Sequence, residues 1–270
     1  MLLVFVLTFL GYMKFTNSTA NQLGLNILGW VKNIKGETVD FTKLKDQDRP
    51  LVDHTSWSTL LASHVTPLGN VNYEGFVEEA AKLQEYLDQL SENPPGKNWS
   101  DNDELAYWIN AYNAFTVKLI IDHYPLKSIK DIAGGLPMIN TPWDIKFFKI
   151  GGIDFDLNTI EHNILRVEFE EPRIHFAVNC ASFSCPKLKN EAYIGERVNE
   201  QLDEQAREFI FNADKNQVTA SATKISKIFS WFEDDFNKKG SVLSFIKKYQ
   251  PALDETNEIQ YIDYIWTLNE

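Results

Sequence analysis

Residues 104–124 read ELAYWINAYNAFTVKLIIDHY, and they are apolar around nearly the whole circumference of a helix. A helix with no polar face belongs in the middle of a core, so this run predicts the central buried element. Pro125 ends it, because proline has no N–H and clashes with the preceding turn. Its start is marked by Ser100 or Asp101, with Asp103 or Glu104 three residues on, after the loop ENPPGKNWSDND (92–103).

Other elements must cover such a helix. VNYEGFVEEAAKLQEYLDQL (71–90) carries Phe76, Ala80, Leu83 and Leu87 on one helical stripe. KFFKIGGIDFDL (146–157) alternates on both sides of Gly151-Gly152, a hairpin signal. LNTIEHNILRVEF (157–169) predicts a short helix capped by Asn158 with Glu161 three residues later. RIHFAVNC (173–180) predicts a buried strand, and 192–212 a long amphipathic helix. QVTA and TKIS predict short strands, IFSWFEDDF and SVLSFIKKY helices, and the end, IQYIDYIWTLNE, an edge strand. No repeat and no linker interrupts residues 51–270. The expectation is a single α+β domain, helix-rich, with a small and mostly antiparallel sheet.

The 270 residues carry a net charge of −12, and no run of clustered Lys or Arg stands out. That argues against nucleic acid as a partner. MLLVFVLTFLGYMKF at the start is too short to span a bilayer comfortably, and reads as the apolar core of an export or anchor segment. Residues 1–20 are therefore expected to direct export, to a periplasmic or membrane-anchored location, and 21–50 to be an irregular lead-in. A buried N-terminal helix is the plainer alternative.

The only two cysteines lie together in NCASFSCP (179–186). Cys180 at the end of a strand, among small neighbours, suits a nucleophilic thiol, whereas a free buried cysteine can also be a small hydrophobe. His175 is a poor base on this reading. Strand alternation turns it away from Cys180, and five residues at ~3.3 Å separate the two by roughly 16 Å. His162, with Glu161 beside it, is the preferred base, since a helix-to-strand return can bring it level with Cys180. A surface histidine meeting Arg166 is the competing reading, and for His175 it is a satisfied core group. Asn110 and Asn113, with Tyr112 between them, are amides on an otherwise apolar helix. They suit the orientation of an imidazole or the binding of an oxyanion. Pinning of loop backbone is the plainer role, and the same holds for Asn179. Trp143, after the loop 133–142, could line a cleft.

An exported chain would also permit a Cys180–Cys185 disulfide. Zinc held by His162, His175, Cys180 and Cys185 is disfavoured, because the spacing is no recognised zinc pattern. No cofactor is expected.

Several motifs, taken in order, resemble those of the domain of unknown function 547 family: SWSTLLASHVTPLGNVNYEGF (56–76), WINAYNAF (108–115), LNTIEHNILR (157–166), PRIHFAVNCASFSCPKL (172–188), IFSWFEDDF (228–236) and YIDYIWTLN (261–269). The resemblance covers roughly 54–270. It implies bacterial relatives, often exported, and plant relatives with the domain after coiled-coil segments. The closing motif departs from the family's Tyr-Asp-Trp, with Ile265 between Tyr264 and Trp266. Papain-like or transglutaminase-like architecture enters only as a fold-level analogy. Two functions follow as expectations. One is a thiol-dependent hydrolase or acyl transferase acting on an amide, peptide or thioester, with Cys180 as nucleophile, His162 as base, Glu161 or Asn110 orienting it and His175 in reserve. The other is a non-catalytic binding or envelope module built around a Cys180–Cys185 disulfide.

Overall fold

The long apolar run forms one helix, Asp101–Ile121, and its start is the one the sequence marks. Ser100 Oγ accepts from the Asp103 N–H at 3.2 Å, and the Asp103 carboxylate accepts from the Ser100 N–H at 3.3 Å. This reciprocal cap satisfies donors that a helix start leaves free. The computed structural model describes residues 44–132 and 141–270. The signal-like segment 1–20, most of the lead-in 21–50 and most of the loop 133–142 fall outside them.

Along the chain this helix is α4, after α1 (Thr55–His64), α2 (Tyr73–Glu78) and α3 (Ala80–Glu92). The periodic run 71–90 is thus two helices joined at Glu79, whose carboxylate meets His64 Nε2 at 2.8 Å and Lys82. Helices α2 and α3 pack on α4. Trp108 of α4 stacks on Phe155 at 5.8 Å between centroids and meets Tyr107 edge-on at 5.0 Å, contacts that suit aromatic rings in a core.

Strands β1 (Phe148–Ile150) and β2 (Ile153–Phe155) make the expected antiparallel hairpin. Both turn residues, Gly151 and Gly152, have positive φ, 58° and 81°, which the tight turn requires and glycine permits. After them come α5 (Val198–Phe211), β3 (Gln217–Val218), β4 (Thr223–Ser226), α6 (Ile228–Trp231), α7 (Glu233–Asn237), α8 (Val242–Lys247) and β5 (Ile259–Ile262). The second sheet runs β3-β4-β5, antiparallel and then parallel, with β5 at its edge. Two small sheets against this many helices make a helix-rich α+β domain. A core of Phe176, Phe209, Phe229, Phe236 and Phe245 fills the space among α5, β4 and α6 to α8.

Three expectations change. Residues 173–180 are not a strand: Pro172–Phe176 is a 3-10 turn, capped by the Glu171 carboxylate on the Arg173 N–H at 3.0 Å. Ile174, His175 and Phe176 are all buried, so this short apolar run had no exposed face from which to read its period. The helix after the hairpin is a π-helical segment, Thr159–Leu165, with one α turn, Arg166–Glu168. Asp156 caps it, accepting from the Thr159 N–H at 2.6 Å, while Asn158 turns to Asp144 Oδ1 at 2.6 Å. The amphipathic helix expected from 192 begins only at Val198. The residues before it are held instead by side chains: Ala192 N–H by Ser58 Oγ at 3.0 Å and Tyr193 N–H by Asn110 Oδ1 at 2.9 Å.

Burial at His54 has a consequence for acid stability. The ring meets the Tyr86 hydroxyl at 2.7 Å, and burial draws it from 6.5 down to about 4, against the pull of Asp53. His175 is shifted the same way, also by burial. Below pH 6.5 the unfolded chain binds protons that the folded chain refuses, so stability falls as pH drops from 6.5 towards 4. His54 alone contributes roughly 3 kcal/mol to that loss. Urea unfolding at pH 7 and pH 4.5 is expected to show it, and His54→Gln to lose distinctly less than the wild type across the same interval.

Candidate functional site

The loop 179–186 is held from several directions. Asn113, buried on α4, donates to the Ala177 carbonyl at 2.9 Å and accepts from the Asn179 N–H at 2.8 Å. Asn179 donates to the Pro186 carbonyl at 2.7 Å and accepts from the Ala181 N–H at 2.9 Å, so one side chain ties both ends of the loop. Ala181 has φ of 58°, a left-handed conformation that costs a non-glycine residue about 1 kcal/mol or more. The closing segment pairs with the loop: Phe183 N–H reaches the Thr267 carbonyl at 2.7 Å, and Ile265 N–H reaches Ser184 Oγ at 2.9 Å.

That pairing brings Tyr264 to the sulfurs. Cys180 Sγ lies 2.9 Å from Cys185 Sγ and 3.2 Å from both Ser182 Oγ and the Tyr264 hydroxyl. Both cysteines are free thiols; Cys180 is partly exposed and Cys185 buried. The Ser182 and Tyr264 hydroxyls are 2.9 Å apart, and their protons can turn to the sulfur when it carries charge. The Cys185 thiol, with these two hydroxyls, draws Cys180 down to about 7, although burial and the nearby Glu161 carboxylate oppose it. Burial and the shared proton push Cys185 well up. Cys180 is therefore the sulfur that ionises first.

Aromatic rings form the exposed side. Tyr264 packs 4.5 Å from Trp266 and 4.8 Å from Trp231, and Trp143 meets Trp266 edge-on at 5.8 Å. Lys130 Nζ sits 3.5 Å from the Trp266 ring centroid, a cation–π contact, close enough for Cys180 to influence its ionisation. Trp231, Phe183 and Ile265 remain exposed.

Among the described residues, no histidine hydrogen-bonds Cys180. His162 Nδ1 accepts from Arg166 Nη1 at 2.9 Å. His175, in its 3-10 turn, donates from Nε2 to Asp235 Oδ2 at 2.8 Å and stacks on Phe232 at 3.8 Å. Its Nδ1 is 4.0 Å from Glu161 Oε1. Burial, then the charges of Glu161 and both sulfurs, push the Tyr112 hydroxyl well up. Asn110 serves the Tyr193 backbone on both sides of its amide. The structure thus brings Cys180 and Cys185 into contact, with Glu161 and Tyr112 coupled to the sulfurs electrostatically, Trp143 in the ring wall, and Asn113 and Asn179 as supports for the loop.

Three residues were missed. Ser182 lay inside the cysteine motif, and Tyr264 inside the closing motif, where pairing with a distant loop has no local signal. Asp235 follows Asp234 in the helix predicted from IFSWFEDDF, where adjacent acids point apart and make a poor carboxylate pair. Yet it is buried, taking Arg166 Nε at 2.5 Å as well as His175. Among the described residues no cluster of His, Cys, Asp and Glu is arranged to hold a metal ion, and no helix is long and apolar enough to cross a membrane. A cleft of about 610 Å³ beside His64, Tyr124 and Glu270 contains no thiol, and His64 there is paired with Glu79.

Residues 96–210 match the model of the family described as "Protein of unknown function, DUF547". The match takes in α4, the hairpin, both cysteines and most of α5, and stops short of Tyr264. No curated protein and no solved structure matches the chain.

Proposed function

For a chain whose residues 96–210 match the DUF547 family model, we propose a thiol-dependent acyl transferase or hydrolase whose nucleophile is Cys180. The supporting observation is the ring of Cys185, Ser182 and Tyr264 around the Cys180 sulfur. A sulfur so held is a thiolate in a substantial fraction near pH 7, and a thiolate needs no separate base to attack.

The surroundings favour thioesters over amides. An amine leaves the tetrahedral intermediate only with a proton supplied, and no histidine hydrogen-bonds Cys180 to supply it. A departing thiolate, from a thiol of pKa near ~8.5, leaves without one. The Cys180 sulfur would bond to the acyl carbon, the carbon–sulfur bond of the substrate would break, and the substrate thiolate would depart. As negative charge passes from sulfur to carbonyl oxygen, the Tyr264 and Ser182 hydroxyls are free to follow it. Water or another acceptor then takes the acyl group from Cys180. Trp266, Trp231 and Trp143 offer an apolar wall for the acyl chain.

The test is incubation with a small acetyl thioester, reading free thiol release and the mass of the Cys180 peptide. Acetyl carried on Cys180, with thiol released faster than by Cys180→Ala, is the expected result. Equal release by the two proteins, with no acyl on Cys180, would remove this reading.

A further inference from the structure

The loop that presents Cys180 also places a second thiol where a covalent partner of Cys180 would be attacked. The two sulfurs stand 2.9 Å apart without a bond between them. A disulfide needs about 2.05 Å, so closure asks for a shift of roughly 0.9 Å. The ends of the loop are already held by Asn179 through Ala181 and Pro186, and the Cys185 N–H closes a turn on the Ser182 carbonyl at 3.0 Å. Little chain freedom remains to be lost on ring closure.

The two thiols differ in access. Cys180 is partly exposed beside the aromatic wall, whereas Cys185 is 4% exposed and lies behind it. An incoming reagent meets Cys180 first. The neighbouring N–H groups are also engaged: Cys180 N–H points at Cys185 Sγ at 2.9 Å, and Ala181 N–H at Asn179 Oδ1. Attack on a carbonyl gains from free N–H donors, whereas attack on a disulfide sulfur builds no oxyanion and needs no acid for its thiolate leaving group.

We propose that Cys180 and Cys185 form a dithiol that exchanges with accessible disulfides, with Cys180 attacking and Cys185 resolving. In the first step the Cys180 thiolate bonds to one sulfur of a substrate R–S–S–R, whose S–S bond breaks and releases R–S⁻. In the second, Cys185 bonds to Cys180 Sγ, the mixed disulfide breaks, and the second R–S⁻ leaves with the Cys185 proton. The two thiols lose two electrons together and the substrate disulfide is reduced to two thiols. A dithiol reductant in solution reverses the change at the protein. Lys215, which donates to the Cys185 carbonyl and interacts electrostatically with both sulfurs, favours the negative charge that forms on Cys185 during resolution. This activity shares the Cys180 nucleophile with the acyl-transfer reading but does not depend on thioester chemistry.

The experiment uses the reduced full chain, kept free of oxygen and mixed with oxidised glutathione. Free thiols are counted and the two cysteine peptides mapped by mass. The wild type is expected to release two glutathione thiols per chain and to finish with a Cys180–Cys185 disulfide and no lasting adduct. Cys185→Ser is expected to stop at a glutathione adduct on Cys180, and Cys180→Ser to react at least tenfold more slowly. Should Cys185→Ser fail to fold, the wild-type product alone decides. A lasting glutathione adduct on wild-type Cys180 beside a free Cys185, or no reaction at all, overturns the proposal. Because glutathione and the acetyl thioester are read separately, glutathione exchange without acetylation sinks only the acyl-transfer reading, and acetylation without exchange sinks only this one.

Discussion

Cys180→Ser is expected to lower thioester turnover on the order of a thousandfold or more while leaving the protein folded. The two residues are close in size, and the serine hydroxyl can keep the bonds to Ser182 and Tyr264. What disappears is the low-energy anion: a serine hydroxyl stays protonated at neutral pH, and no histidine hydrogen-bonds this position to remove its proton. The measurement is single-turnover thiol release from an acetyl thioester, with the thermal midpoint as the control for folding. Tyr264→Phe separates activation from presence. It keeps the nucleophile and removes one hydroxyl that bonds the thiolate, so a smaller fall, about ten- to hundredfold, is expected near pH 7. That loss should shrink as pH rises and Cys180 ionises without help. A Cys180→Ser variant as active as the wild type would end the nucleophile assignment outright.

The largest stability effect is expected at Asp235. Burial alone would favour its protonated form, but His175 and Arg166 outweigh burial and hold the carboxyl well below the usual carboxylate range. Asp235→Ala would leave the Arg166 guanidinium without its closest carboxylate and the His175 N–H without an acceptor inside the core. Removing one partner of such a buried set costs about 3–5 kcal/mol. Asp234, next in the chain and exposed, is expected to change stability by no more than ~0.5 kcal/mol when replaced by alanine. A carboxyl depressed in the folded state stabilises above its unfolded pKa, near 3.8, and that stabilisation is lost as pH falls below it. The gap between wild type and Asp235→Ala in urea unfolding should therefore be full at pH 7 and narrower at pH 3. A loss at Asp235 no larger than at Asp234 would show that the network carries no net stability.

The readable parts of the fold were those whose signals are local. The cap at Ser100 and Asp103, the apolar circumference of 104–121 and the two glycines of the hairpin each declare themselves within a few residues. Residues 172–176 failed because every side chain in the middle of that turn is buried, and a run without an exposed face has no period to read. Without the strand, the alternation that set His175 apart from Cys180 has no basis, and the ring is held by Asp235 and Phe232 instead. His162 illustrates a different limit. Its position on the segment before the cysteine loop suited a base, but Arg166, one helical turn on, takes its ring. Cys180 itself could be singled out from its neighbours in sequence. The groups that tune it could not, because Tyr264 arrives through pairing of the loop with a segment some eighty residues away. Asp235 was hidden for a different reason: adjacent acids on a helix point apart and read as a poor carboxylate pair, whereas its partners, Arg166 and His175, lie about sixty or more residues away.

The account depends on Cys180 being ionised near neutral pH, and alkylation reads that directly. The reduced protein would be treated with iodoacetamide across a pH series and each cysteine followed by peptide mass. The prediction is a Cys180 rate with a midpoint near 7, shifted upward in Tyr264→Phe and in Ser182→Ala, with Cys185 unreactive throughout the same range. A Cys180 rate that rises only above the ordinary thiol pKa of ~8.5, and is indifferent to both substitutions, would contradict it.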